Sequence, residues 1–334
     1  MRVVTAEDIE ACLSFPDLVD VLRDAFRAGM MAPLRHHHTI ALEGDRPDAT
    51  LLLMPAWTAS APGAETAGRY IGVKTVSVFP GNRDRDLPAV QGAFLLFSAE
   101  TGEPLALMDA PRLTAWRTAA ASALASRYLS RDDSHRLLIV GTGSLGRYLA
   151  HAHASVRPIR EVVLWNRRPT GAHALAQRLT AEGFAVSVTE NLERSIREAD
   201  IVSTAMLSTT PLVLGQWLTP GTHLDCVGAY RPHMRETDDD VVTRAHIWVD
   251  TRAGAMKEAG DIAIPLASGT ITNDNIEGDL HDLAHNDRFA RAAPEDITMF
   301  KSVGASIEDL AAAIAVYEKL QTVPSPPPPL PRSG

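Results

Sequence analysis

Two sets of residues in this sequence have the types and spacing to do chemistry. The first is Gly141-Thr142-Gly143-Ser144-Leu145-Gly146, directly after the apolar run Leu137-Leu138-Ile139-Val140. Gly-x-Gly-x-x-Gly between a strand and a helix is the pattern of a turn that cradles a pyrophosphate. The first glycine permits the tight turn, the second lets the backbone approach the phosphates, and the third lets the helix pack on the strand. Free N–H groups and the positive helix end hold the anion. The next strand chooses between cofactors, because Asp or Glu at its end bonds a ribose 2′-OH and marks NAD. Here it ends Leu164-Trp165-Asn166-Arg167-Arg168. The acid is absent, and two arginines stand ready to bind a 2′-phosphate through charge-assisted contacts. The expectation is a site that prefers NADPH, with NADH possible. It comprises Gly141, Thr142, Gly143, Ser144, Leu145 and Gly146, then Asn166, Arg167 and Arg168, and the later strand ends Thr204, Val227 and Gly228.

The second set is cationic: Arg35 in Pro33-Leu34-Arg35-His36-His37-His38, Lys74 in Ile71-Gly72-Val73-Lys74-Thr75-Val76, and Arg117 in Leu113-Thr114-Ala115-Trp116-Arg117-Thr118. Taken singly, each reads as a surface charge or a snorkelling side chain. Their surroundings argue otherwise. Lys74 interrupts a run of strand formers, and Arg117 is expected near a helix N-terminus, where the macrodipole disfavours a cation. Unfavourable placement suits residues that bind an anion. The three adjacent histidines invite a metal reading. Neighbours on a strand point to opposite faces, and a tetrahedral site needs further ligands at suitable spacing, so no metal is expected.

The elements that must position these residues fall into two textures. Thr5 and Asp8 form a capping signal, and Pro16 opens a helix carrying Leu18, Val21, Leu22, Ala25 and Phe26. Leu51–Met54, Tyr70–Val73 and Phe94–Phe97 read as strands between loops, and Thr114–Tyr128 as an Ala-rich helix. From Leu137 strands alternate with helices: Glu161–Trp165, Ala185–Val188, Ile201–Ala205, Leu224–Val227 and Ile247–Val249. Such alternation predicts a parallel sheet covered on both faces. The last helix, Ser306–Leu320, is expected to return to the first domain. The expected fold is α/β: a Rossmann domain (residues 126–299) inserted in an α+β substrate-binding and dimerisation domain (residues 1–125 plus 300–321). Residues 322–334 read as a Pro-rich disordered tail.

The 334 residues carry a net charge of −9, which argues against a nucleic-acid partner. No stretch has the uncharged apolar length of a membrane span, and the start lacks the pattern of a signal peptide, so a cytoplasmic location is expected. The two cysteines, Cys12 and Cys226, read as buried small hydrophobes. Asp238-Asp239-Asp240 reads as a solvated helix start, and Lys301 as either a ligand contact or a helix-entry contact.

Gly72-Val73-Lys74, Arg117-Thr118-Ala119-Ala120-Ala121-Ser122-Ala123, Val140-Gly141-Thr142-Gly143, Val227-Gly228-Ala229 and Phe300-Lys301-Ser302-Val303-Gly304 together resemble the ornithine cyclodeaminase/mu-crystallin family. The resemblance implies a homodimer paired through the first domain's sheet, and an amino- or imino-acid carboxylate gripped by Arg35, Lys74 and Arg117. Two departures matter. Leu52 stands where ornithine cyclodeaminases carry a Glu, and Tyr230 where they carry a catalytic Asp. Without those charges the sequence is more similar to the ketimine reductases of the family. The implied substrate is then a small cyclic imino acid, reduced to proline or pipecolate, with Lys74, Arg117 and Tyr230 as catalytic candidates. Tyr230 or one of His36, His37 and His38 would donate a proton if a donor is needed. The competing expectations are ornithine cyclodeamination, reductive amination in the manner of an alanine dehydrogenase, and ligand binding without turnover.

Overall fold

The computed structural model describes residues 1–44, 46–58, 69–85, 87–285 and 290–322. Most of the Pro-rich tail, residues 323–334, lies outside them. Six strands form one sheet: β1 (Arg2–Val4), β2 (His36–Ile40), β3 (Ala49–Trp57), β4 (Tyr70–Val78), β5 (Val90–Ser98) and β6 (Pro104–Asp109). Their order is β1-β6-β5-β4-β3-β2. β1 joins β6 in parallel, and the other neighbours are antiparallel. The residues of β2 are all exposed. The histidine run lies on a strand, as assumed in setting a metal aside, although no apolar alternation marks this edge.

Eight strands form the second sheet: β7 (Arg136–Val140), β8 (Glu161–Trp165), β9 (Val186–Val188), β10 (Ile201–Thr204), β11 (His223–Cys226), β12 (His246–Val249), β13 (Ile276–Asp279) and β14 (Thr298–Lys301). They run β13-β12-β14-β11-β10-β7-β8-β9, all parallel. This is the expected Rossmann architecture, beside a separate sheet that is largely antiparallel. The order reverses between β7 and β10, so the glycine turn after β7 opens at the switch point, where open α/β sheets bind ligands.

Two helices link the sheets. Helix Ala110–Leu129 buries Ala119, Ala120, Ala121, Ala123 and Ala125 completely. It packs on helices Phe15–Ala28, Gly146–Val156 and Ser306–Thr322, and also touches β5, β11 and β14. Alanine lets these backbones approach closely and loses no side-chain entropy. The helix begins four residues earlier than the sequence suggested. The Asp109 carboxylate accepts the Arg112 N–H at 2.7 Å, and Pro111 sits in the first turn. Arg117 is therefore two turns inside the helix, not near its N-terminus, which corrects the dipole argument for it.

The final helix, Ser306–Thr322, lies against β3, β4, β5 and helices Phe15–Ala28 and Ala110–Leu129. The capping signal at Thr5 is real: its hydroxyl accepts the Asp8 N–H at 3.2 Å and Asp8 accepts the Thr5 N–H at 2.9 Å. Asp238 likewise caps the short helix Asp239–Arg244. Cys12 and Cys226 are buried and free. Among the described residues no helix is long and apolar enough to cross a membrane.

Candidate active site

The glycine turn is built as its spacing requires. Gly141 has a left-handed backbone, φ 110°, and donates its N–H to the Trp165 carbonyl at 2.9 Å. A Cβ there would meet the Ala205 backbone. At Gly146 a Cβ would press on Leu175 of the next helix, a tighter contact than the one with Ile139 of β7. At Gly143 a Cβ would meet nothing, so the turn presents bare backbone to open space. Helix Gly146–Val156 starts without a side-chain cap, leaving its first N–H groups for an outside acceptor. Ser144 is exposed and Leu145 half-buried at that start. The Thr142 hydroxyl is buried with no hydrogen-bond partner among the described residues. It and Asn166 Nδ2 both lie against Gly171. Arg167 and Arg168 are exposed, and among the described residues neither joins an ion pair. Bare backbone, an uncapped helix start, an orphaned hydroxyl and two free guanidinium groups fit a dinucleotide phosphate chain.

Thr204 and Val227 end this floor, joined by a Val227 N–H to Thr204 carbonyl bond of 2.9 Å. Gly228 does something the sequence did not suggest. Its N–H is taken by Glu236 at 2.8 Å, as are those of Met206 at 2.7 Å and Ala229 at 3.1 Å. One buried carboxylate thus pins the loops after β10 and β11, and a Cβ on Gly228 would collide with it. Asp261 accepts the N–H groups of Glu236 and Thr237. Lys301, fully buried, lies 3.0 Å from Asp261 and 3.6 Å from Glu236. Burial alone would lower the Lys301 pKa, but Asp261 and Glu236 outweigh it and raise it, so the lysine stays charged. Lys301 therefore braces the crevice wall through Glu236 and through Asp261, in the first turn of helix Gly260–Ser268.

Arg35, Lys74 and Arg117 come together around the loop that follows β14. Lys74, 2 % exposed, projects from β4 and lies 2.6 Å from Asp309 and 3.4 Å from the Thr114 hydroxyl. Arg117, 5 % exposed, reaches Glu308 at 2.5 Å and Asp309 at 3.0 Å. Arg35 donates to the carbonyls of Val303 and Gly304 at 2.8 and 2.7 Å and pairs with Glu258 at 2.9 Å. Gly304 is the hub. Its φ is 85°, and a Cβ there would overlap the Arg117 guanidinium. Asp250, at the end of β12, fixes the loop by accepting the N–H groups of Val303 and Gly304 at 2.7 and 2.6 Å. Burial, with Arg117 beside it, overrides Asp309 and lowers the Lys74 ammonium to about 8. Burial would also lower the Arg117 guanidinium, but Asp309 and Glu308 more than reverse it. Burial, with Asp250 and Asp309 close, lifts Glu308 to about 7 despite Arg117.

The two sets of residues share one edge. Gly141, Val227 and the Ser302–Gly304 loop follow β7, β11 and β14, and Thr204 ends β10; these four strands are successive neighbours in a parallel sheet. At ~4.8 Å per strand, roughly 15 Å separates the glycine turn from the cationic hub. A cleft of about 520 Å³ opens beside that hub, lined by Arg35, Met54, Glu258, Gly304 and Ile307. Tyr230, half-buried after β11, packs on the core beneath the sheet with the Arg231 guanidinium 5.7 Å from its ring centre. Leu52 is buried in β3 opposite His37. The His36 and His38 rings share one face of β2 at 6.5 Å, while His37 turns to Glu258 at 3.5 Å.

A model of the ornithine cyclodeaminase/mu-crystallin family matches residues 1–323. The chain belongs to this family. It is 37% identical over 325 residues to the Delta(1)-pyrroline-2-carboxylate reductase of Colwellia psychrerythraea, covering 96% of this chain and 99% of that one. The Thermococcus litoralis Delta(1)-pyrroline-2-carboxylate reductase, solved in complex with NADH and L-proline, aligns at TM-score 0.88 and 31% identity, covering 96% of this chain and 98% of that one. An archaeal alanine dehydrogenase dimer with bound NAD aligns at TM-score 0.86 and 30% identity, covering 97% and 98%. The family resemblance read from the motifs is thus borne out. Motif reading found the three cations but missed Glu258, Glu308, Asp309 and Asp250. Glu308-Asp309 read only as the acidic first turn of the last helix, and it is their full burial that shows they need cationic partners.

Proposed function

We propose that this protein is an NADPH-preferring oxidoreductase that reduces the C=N bond of a small cyclic ketimine carboxylate. Δ1-Pyrroline-2-carboxylate and Δ1-piperideine-2-carboxylate are the substrates, and L-proline and L-pipecolate the products. The observation that carries the reading is the meeting of Arg35 and Arg117 at Gly304, with Lys74 joined to Arg117 through Asp309, on the sheet edge that also bears the glycine turn. The pyrroline-2-carboxylate reductase relatives support it. Their structural counterpart holds NADH, so the preference for NADPH rests on Asn166, Arg167 and Arg168 of this chain alone.

Gly141 to Gly146, Thr142 and Asn166 hold the cofactor, which supplies the hydride when bound. Arg35, Lys74 and Arg117 fix the substrate carboxylate and so set the ring's orientation, a positional effect that can carry much of the rate. Lys74 remains charged at neutral pH yet releases a proton more easily than an ordinary lysine, because burial lowers it to about 8. That suits it to hold the proton the imine nitrogen acquires, with Tyr230 the alternative donor. Leu52 and Tyr230 place no carboxylate at the positions where deamination of ornithine would need one, which weighs against that reaction. The exposed edge strand β2, with Met31, Leu34, Ile40 and Trp57 exposed nearby, supports a homodimer paired through this sheet.

The test follows NADPH and NADH absorbance with both cyclic imines, and ammonia release with ornithine. Lys74→Ala and Arg117→Ala are expected to lose about 100-fold or more in kcat/KM while binding NADPH normally by fluorescence titration. Wild-type turnover in those variants, or ammonia release from ornithine, overturns the proposal.

A further inference from the structure

We propose that Glu308 takes up a proton as the substrate carboxylate enters, which frees Arg117 to turn from Glu308 to the ligand. The inference rests on the reading of this cluster as the carboxylate site. Around the Ser302–Gly304 loop stand three cations, Arg35, Lys74 and Arg117, and four carboxylates, Asp250, Glu258, Glu308 and Asp309. With Glu308 ionised the cluster is one negative charge in excess. A fifth carboxylate entering these buried surroundings meets net repulsion unless a proton accompanies it.

Glu308 is the group placed to accept that proton. Asp309 bridges Lys74 and Arg117. Glu258 pairs with Arg35 and faces the half-exposed His37. Asp250 accepts the N–H groups of Thr251, Val303 and Gly304 and the Ser302 hydroxyl. An incoming ligand leaves Asp250 all its donors and Glu258 its His37, and Asp309 has two cations to share with the ligand where Glu308 has one. Glu308, fully buried, has only the Arg117 guanidinium, and its Oε1 has no partner among the described residues. Burial and the charges of Asp250 and Asp309 already hold this carboxyl near 7. A ligand carboxylate adds another like charge and draws Arg117 away, and both changes push it further up. Glu308 is thus a positioning residue that acts through Arg117.

The probe is pyrrole-2-carboxylate, a planar ring acid whose nitrogen does not titrate near neutrality, added to the NADP⁺-loaded protein. Calorimetry in buffers of differing ionisation enthalpy counts the protons bound. At pH 7 the wild type is expected to take up about half a proton from Glu308, with a minor share from Lys74. From pH 6 to 7.5 its Kd rises about fivefold. In Glu308→Gln, a mimic of the protonated form, uptake at pH 7 falls to about a tenth of a proton and Kd changes less than ~1.5-fold. An infrared difference spectrum of the wild type, gaining a protonated carboxyl band on binding, gives the same answer should the variant fail to fold. Tight binding without proton uptake, or unchanged uptake in Glu308→Gln, overturns this inference and leaves the carboxylate site intact. Failure of the probe to bind at all, with no reduction of either cyclic imine, removes the site reading and this inference together.

Discussion

At Gly304 the backbone is left-handed and the Arg117 guanidinium occupies the place a Cβ would take. Gly304→Ala is therefore doubly unfavourable, since the conformation is strained for any L side chain and the arginine must move. Urea denaturation is expected to show a loss of ~1–3 kcal/mol, and steady-state kinetics a fall in kcat/KM larger than the loss of stability accounts for. Arg167 and Arg168 offer the opposite case, exposed cations with no structural duty. Replacing both by Ala is expected to raise the KM for NADPH about 10- to 100-fold, the worth of ~1.5–3 kcal/mol of charged hydrogen bonding, while that for NADH stays level. Equal effects on the two cofactors would remove the 2′-phosphate assignment. Arg167 and Arg168 were legible in the sequence because they follow a strand end that lacks the usual acid, whereas Gly304 entered only through the family motif. The carboxylates facing the cations were not legible. Lys74 and Asp309 are 235 positions apart, and only the fold brings them to 2.6 Å.

Among the elements, the loops after β10 and β11 depend on a buried charge cluster. Lys301 compensates Glu236 and Asp261, and Glu236 holds the N–H groups of Met206, Gly228 and Ala229. Lys301→Met leaves two buried acids without a cation. The expected cost is ~3–5 kcal/mol, read from the urea midpoint. Faster amide exchange at Met206, Gly228 and Ala229 and weaker cofactor binding should accompany it. A stability loss with unaltered exchange in those loops would disprove the bracing role. Strands whose both faces are buried were plain from their apolar runs, as in β7 and β8. The exposed β2 carries no such run. The start of helix Ala110–Leu129 lies at the Asp109 cap and Pro111, ahead of the expected Thr114, because cap and proline set the boundary while helix propensity is strongest in the Ala-rich stretch beyond.

At the scale of the whole molecule, two buried groups set opposing slopes of stability with pH. Burial lowers His223 to about 3, so between its ordinary value and 3 the unfolded chain binds the extra proton and acid destabilises the fold. Glu308 is lifted to about 7, so between 7 and 4.5 the folded chain binds the extra proton and acid stabilises it. Each slope amounts to roughly 2 kcal/mol between pH 6.5 and 5. Relative to the wild type, Glu308→Gln is expected to lose about that much on acidification over this range, and His223→Gln to gain it. Parallel curves for all three proteins would show that neither group titrates as described.

Helix Ser306–Thr322, the last element described, completes the packing of the first sheet: Lys319 donates to the Cys12 carbonyl at 2.9 Å, and Arg2 to the Leu320 carbonyl at 2.9 Å. The N-terminal layer therefore cannot close until residues 306–322 have left the ribosome. The parallel sheet is completed only shortly before, when β14 takes its place between β11 and β12. The earlier-made half waits with an apolar face bare, which makes it the part of the nascent chain most in need of a chaperone.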